Sequence, residues 1–411
     1  MGRMTRAERA DAQQRQLAVR LYQAGMAVTA IAQKLKHSIS WVYKWITYHV
    51  HHPWTRFRSV SRAPHHHPTQ TPEAVERRIL RLRRQLVRHQ PRALRFAGIG
   101  ARTIQREYRK RYGTAPSLST IQRILDHHHL VVHARPPRVR YRPHPAADVP
   151  NAVQATDIIT RWIRGGSVVQ TFNTVDVYSN DVCSTTHAEK SGAEASQHLL
   201  HTWKTLGMPA LAQFDNEAAF SGGRYARSIS HVVRLCLYFG IPVLFTPLDE
   251  ASYNWPVEIF NDLWAQRFWN RHQFSRRGDV PRAQQTFLNW YRTEYIAPRQ
   301  SDTPAHLRQG YPIQLLPDRW AEQVPDRLPI CAGQIHAVRR VDEMGYTSFL
   351  AVPLRVGKRY AERYAWVTLE TADQRLTVWY QPRAEADWRQ LKEVPFLLKE
   401  PVLPVLKQFT R

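Results

Sequence analysis

Cysteine is scarce: three in 411 residues, Cys183, Cys236 and Cys331, far apart and with no Cys-x-x-Cys pair. That argues against a disulfide framework and a cysteine-based zinc site, and a reducing, intracellular setting is expected. Long apolar runs are missing as well. No window approaches the length of unbroken apolar sequence that a membrane span needs. Met1 to Ala12 is charged and lacks the apolar centre of a secretory signal, so neither a membrane partner nor export is expected. The third shortage is acid, and it is uneven. Lys plus Arg is 59 against 33 Asp plus Glu, a net charge of +26, but Met1 to Pro145 alone holds 29 basic and 6 acidic residues. The remainder is close to balance, with 30 against 27. A charge excess gathered into one third of the chain suits a polyanion-binding module, because each phosphate neutralised releases condensed counterions. A basic tail lying on anionic lipid is the competing reading, but the same segments carry periodic apolar faces and read as folded.

What is present supports several packed cores. The chain is 43% hydrophobic and 11% aromatic, enough to exclude disorder throughout, and its length implies roughly two to four domains. Residues 1–52 read as two or three short helices. Leu17, Leu21, Ile31 and Leu35 form an apolar face, Gly25 interrupts it, and Ser38 or Ser40 can cap a helix over Trp41 to His49. Helix, tight turn, second helix is the arrangement that lays a recognition helix in the major groove, with Ser40, Tyr43, Lys44 and Tyr48 as the outward groups. His51 to Thr71 is a linker whose His65-His66-His67 tract reads as solvated rather than as a metal site.

A second helical block follows over 72–131. Glu73 to Arg88 is basic and amphipathic, Ala101 to Arg111 is another helix, and a capped recognition helix starts at Ser117 or Ser119, presenting Ser119 and Arg123 to DNA. Residues 132–150 form a Pro/Arg-rich strap in which Arg138 and Arg140, with Arg135 and Arg142, can track a phosphate backbone. The stretch 151–318 changes character to β-β-β-α-β-α-β-α, an α/β layer with a mixed sheet. Over 328–400 short strands separated by turn residues suggest a small antiparallel barrel.

Three carboxylates stand out in the α/β stretch. Asp157 lies within the first strand, Asp215 closes a later one, and Glu258 begins the helix after the last. Strand ends hold side chains rigidly, and hard divalent cations take oxygen ligands. Asp176, on the second strand, competes for the first position, and Glu250 for the third.

Residues from about 150 to 316 resemble the catalytic core shared by retroviral integrases and many bacterial insertion-sequence transposases. The resemblance is carried by the strand Asp157, by Asp215-Asn216, by Gly240-Ile241 leading to Thr246-Pro247, and by Asn254 and Val257-Glu258. The segment Thr303-Pro-Ala-His-Leu-Arg308 also resembles the one that follows that core. The resemblance implies an RNase H-like fold with a mixed five-stranded sheet and a DDE triad of Asp157, Asp215 and Glu258. It further implies two Mg²⁺ (or Mn²⁺) ions, tandem helix-turn-helix modules before the core, and a β-barrel after it. The chain departs from the family at Glu217, Trp255 and Pro256, where glycines or flexible neighbours are usual, and 43 positions separate Asp215 from Glu258, a long interval.

The expected partners are double-stranded DNA, both element ends and target, and further copies of the chain on that DNA. The expected location is the bacterial cytoplasm, at the nucleoid. A DNA-binding regulator derived from such an enzyme and a nuclease acting on RNA–DNA hybrids are the other readings.

Overall fold

The computed structural model describes residues 6–53, 57, 71–89, 94–131, 141–222, 225–405 and 409. Residues 1–73 and 74–411 form two units.

In the first unit, helices α1 (Arg6–Gln23), α2 (Val28–Leu35) and α3 (Ile39–His51) close on Ala18, Ile31, Ala32, Val42 and Ile46. Lys36, at φ 53°, ends α2 in the left-handed region. Two residues later Ser38, rather than Ser40, caps α3 by accepting a hydrogen bond from the Trp41 backbone N–H at 3.2 Å. The α2–turn–α3 arrangement is a helix-turn-helix. Its second helix leaves Ser40, Tyr43 and Lys44 exposed, as read from the sequence, whereas Tyr48, also read as outward, is half-buried with its ring 5.3 Å from that of Trp45.

The second unit opens with α4 (Glu73–Val87), α5 (Ala101–Tyr112) and α6 (Leu118–His127) around Ile79, Leu82, Ile104, Tyr108, Ile121 and Leu125. Ser117 is the cap of α6, and Ser119 and Arg123 are exposed on that helix. These helices are docked on the α/β layer. The Phe96 ring, 8% exposed, meets Phe287 at 5.5 Å and Trp290 at 5.7 Å, a burial worth about 2–3 kcal/mol.

The α/β layer holds β1 (Val153–Trp162), β2 (Val168–Asp176), β3 (Val182–His187), α7 (Gly192–Thr205), β4 (Leu211–Phe214), α8 (Ala218–Ser221), α9 (His231–Tyr238), β5 (Val243–Phe245), α10 (Trp255–Arg267) and α11 (Asp279–Glu294). In the sheet the order is β3-β2-β1-β4-β5; β2 and β3 pair antiparallel, while β1, β4 and β5 run parallel. The mixed sheet implied by the resemblance is present, but it does not stop at five strands. One face packs on α7 and α9 through Phe172, Phe214 and Val243, and the other on α10 and α11 through Ala155, Ile159 and Val175. Because strand side chains alternate, Asp157, between Ala155 and Ile159, lies on the α10 face. Asp215, one residue beyond Phe214, turns to the same side.

The expected C-terminal barrel is a correction. After the short helices α12 (Pro304–Leu307) and α13 (Asp318–Glu322), the chain forms β6 (Ile330–Cys331), β7 (Gln334–Arg340), β8 (Tyr346–Phe349), β9 (Val352–Arg355), β10 (Tyr364–Glu370), β11 (Arg375–Tyr380), β12 (Arg389–Pro395) and β13 (Val402–Leu403). Strand β7 pairs parallel with β5, Val243 opposite Ile335, and β10, β11 and β12 add antiparallel beyond it. The described strands therefore make one nine-stranded sheet in which the C-terminal meander extends the core. Strands β8 and β9 form a separate hairpin, and β6 pairs with β13. The physical reason lies in β5, a fully buried strand of three apolar residues. Left as an edge, it would expose unpaired backbone N–H and C=O groups beside apolar side chains, and β7 covers it. Among the described residues no helix is long and apolar enough to cross a membrane.

Candidate active site

Asp157 is half-buried and accepts a hydrogen bond from Asn261 Nδ2 at 2.6 Å. Burial pushes its carboxyl up to about 7, the neighbouring Asp215 adds to the rise, and Glu258 adds further. Asp215 is raised as well, first by burial and then by the Glu217 carboxylate; the Glu217 backbone N–H, which donates to Asp215 Oδ1 at 3.0 Å, and Lys190 oppose the shift. Glu258 sits in the first turn of α10 and is raised by burial, then by Asp262 and Asp215. The side chains thus lie within electrostatic reach of one another, although a strand interior, a strand end and a helix start supply them. Like charges gathered in a partly desolvated place raise each other's pKa, and a site of this kind is relieved by a cation.

Among the described residues no three His, Cys, Asp or Glu side chains close on a common point able to hold a metal ion. The hydrogen bonds explain the spread: Asp157 is turned to Asn261 and Asp215 to the Glu217 backbone. The donor set itself, three carboxylates with raised pKa values and one nearby lysine, fits a hard divalent ion.

Both sequence rivals are engaged elsewhere. Glu250 accepts from Arg142 Nη1 at 2.9 Å and from the Tyr364 hydroxyl. Asp176 is fully buried, accepts from the Asn151 backbone N–H at 2.8 Å and from Ser179, and faces Arg308. The departures from the family pattern also have local accounts. Pro256 occupies the first turn of α10, where its missing N–H has no helical partner in any case. Glu217 has ordinary backbone angles, φ −55° and ψ 141°, and its carboxylate meets Lys190 at 3.1 Å. Glycine is not required there.

Sequence reasoning missed the polar chain behind Asp157. Asn173, opposite Asp157 across the β1–β2 ladder, donates to Asn261 Oδ1 at 2.9 Å and accepts from Ser184. Gln284 donates to Ser184 at 2.7 Å and accepts from the Trp264 indole at 3.1 Å. The available signal was the spacing of Glu258 and Asn261, three positions apart on one helix face. Arg339, on β7, was missed too. It is buried, donates to Asn216 Oδ1 at 3.0 Å and to the Thr246 carbonyl at 2.7 Å, and so ties the C-terminal strands to the residue after Asp215.

Of the residues read as DNA-facing, Ser40, Tyr43, Lys44, Ser119 and Arg123 are exposed on their helices. Arg138 and Arg140, with the His65–His67 tract, lie outside the described residues. Arg142, from the same strap, is tied to Glu250 and Ser252.

A family of homeodomain-like domains matches residues 9–49, which cover the helix-turn-helix of the first unit. No curated protein sequence matches the chain. Similar solved structures include a simian T-cell lymphotropic virus intasome in complex with PP2A regulatory subunit B56 gamma, at 16% identity and TM-score 0.37, covering 73% of this chain and 96% of that one. The HTLV-2 integrase catalytic core domain in complex with magnesium is similar at 17% identity and TM-score 0.31, over 39% of this chain and 97% of that one. The BIV integrase catalytic core domain is similar at 14% identity and TM-score 0.30, over 38% and 93%.

Proposed function

We propose that the chain is a DNA transposase or integrase that binds element ends, nicks them and joins the new 3′ ends to target DNA. The observation that carries this reading is the gathering of Asp157, Asp215 and Glu258 on one face of a mixed sheet, where Asp215 raises both of the others and Glu258 adds to the rise at Asp157. It is joined to a helix-turn-helix in a strongly basic first third. These three carboxylates would hold two Mg²⁺ or Mn²⁺ ions, which when bound supply positive charge at the attacking and leaving oxygens of a phosphodiester. Asn261 holds the Asp157 carboxylate through Oδ2. Arg339 and Asn216 fix the turn that follows Asp215. The exposed groups of α3 and α6 would read the ends, and because two ends are joined at once, at least two copies assemble on DNA.

A second reading, a DNA-binding regulator without catalysis, is favoured by one observation: no three carboxylates close on a single point among the described residues. The two are separated with duplexes taken from the ends of the genomic segment that carries the gene, incubated with protein and Mg²⁺ or Mn²⁺. Glu258→Gln is expected to lower end nicking and joining by about a thousandfold or more. Glu250→Gln, which loses only its links to Arg142 and Tyr364, is expected to stay within a few-fold of wild type. Both variants should bind the ends. Unchanged joining by Glu258→Gln sinks the assignment of that residue, and specific end binding without any nicking favours the regulator.

A further inference from the structure

Where the second helical block meets the α/β layer there is a cleft of about 390 Å³, lined by α5, the end of α10 and the end of α11. Its rim is cationic. Arg102, Arg106, Arg109 and Lys110 are spaced to share one face of α5. Arg106 and Lys110 are held by the far end of α11, donating to the Glu294 carbonyl and, at 3.1 Å, to the Glu294 carboxylate. Arg102 and Arg109 are exposed and pair with no carboxylate among the described residues.

The floor is aromatic. Trp290 and Tyr295 lie under the Arg267 guanidinium, at 5.6 and 5.3 Å from its centre, and Arg267 donates to the Phe96 carbonyl at 3.2 Å. Among the described residues no carboxylate pairs with Arg267. Burial, and the charge of Arg106 in addition, press its pKa down. A Cβ at Gly98 would stand 2.5 Å from Arg267 Nη2, so glycine there keeps room for the guanidinium. Cations placed against cations are costly until an anion arrives, and a guanidinium held over aromatic rings beside a positive rim suits a nucleotide. The volume is that of a small-ligand site. One nucleotide fits, whereas a duplex is too wide to enter.

We propose that this cleft takes a single unpaired nucleotide of a DNA strand, its base against the Arg267 guanidinium that covers Trp290 and Tyr295 and its phosphate on Arg102 and Arg109. The proposal rests on the reading of the chain as a DNA-acting protein. The cleft is a second site, because Arg267 is nine positions from Glu258 and therefore on the opposite side of α10.

The test uses the full chain and a fluorescein-labelled oligodeoxynucleotide of about 20 residues carrying 5-iododeoxyuridine, as a single strand and as a blunt duplex, at one fixed salt concentration. In the Arg102→Ala/Arg109→Ala variant the affinity for the single strand is expected to fall about tenfold while that for the duplex changes less than about twofold. Ultraviolet cross-links from wild type should map to the peptides holding Trp290 or Tyr295. An equal loss on both probes would place the arginines against the outside of a duplex and overturn the proposal. So would an unchanged single-strand affinity, or cross-links confined to other regions. Glu258→Gln protein should bind the single strand like wild type. Cleft binding in protein that never nicks DNA would therefore sink the catalytic reading alone, and nicking with no cleft binding would sink this proposal alone.

Discussion

Replacing Asp157 by asparagine is expected to remove strand joining, by about a thousandfold or more, and at the same time to make the protein more stable. The two effects have one cause. The Asp157 carboxylate is largely desolvated beside Asp215 and Glu258, with no cation against it among the described residues, and its pKa rises to about 7. A carboxyl whose folded pKa lies above its unfolded value costs nothing where both states are protonated. Its cost appears as the pH climbs past the unfolded value near 4 and levels off above the folded value near 7. Without divalent ions, the stability gained by Asp157→Asn should therefore be close to zero at pH 4 and about 1–3 kcal/mol at pH 8. Urea denaturation of both proteins in EDTA across that range measures it. Mg²⁺ should raise the melting temperature of wild type at pH 8 more than at pH 5, and that of the variant much less at either. A stability difference that stays flat with pH would mean that the three carboxylates do not share one electrostatic site.

The ingredients of that site were legible for a physical reason. Alternation along a strand puts Asp157 on the face of Ala155 and Ile159, and a short apolar run ending at Phe214 leaves Asp215 at a strand end, so the local pattern already carries the placement. The choice of Glu258 over Glu250 came from motif order, and Glu250 has since been found paired with Arg142 and Tyr364. Partners distant in the chain were not legible. Nothing local to residues 334–340 says that they pair with Val243–Phe245, so a set of short alternating strands read as a barrel when it continues the core sheet. The same limit hid the link between Arg339 and Asn216, 123 positions apart. Asn261 was hidden differently. Asparagine inside a helix reads as neutral, and only its reach to Asp157 and Asn173 gives it a role.

The largest loss of stability is expected from Arg308→Met, at the end of the Thr303-Pro-Ala-His-Leu-Arg308 segment. Arg308 is 8% exposed, with Nη1 3.6 Å from Asp176 Oδ2 and Nε 3.4 Å from Asp181 Oδ2. It also donates to the Leu206 carbonyl at 2.5 Å and to Asn151 Oδ1 at 3.4 Å. One guanidinium therefore joins the turn into β1, the end of β2, the turn into β3 and the end of α7. Methionine keeps most of the apolar stem but leaves Asp176 fully buried, with Ser179 and the Asn151 N–H as its remaining partners. Asp181 retains Arg292 at 2.8 Å, so the uncompensated charge falls on Asp176. Breaking a buried pair from one side costs about 3–5 kcal/mol, a large share of the roughly 5–15 kcal/mol that holds an ordinary domain folded. Burial already raises the Asp176 carboxyl in the presence of Arg308, and without it the group should titrate higher still. The loss should then be smaller at pH 5 than at pH 8, because protonation neutralises the stranded acid. Adding Asp176→Asn to Arg308→Met should restore part of the stability at pH 8, since the second change removes the charge that the first exposed. Chemical denaturation of the single and double variants at the two pH values decides it: an additive double variant would show that Arg308 acts through packing alone, and its ion pair with Asp176 would then contribute nothing measurable.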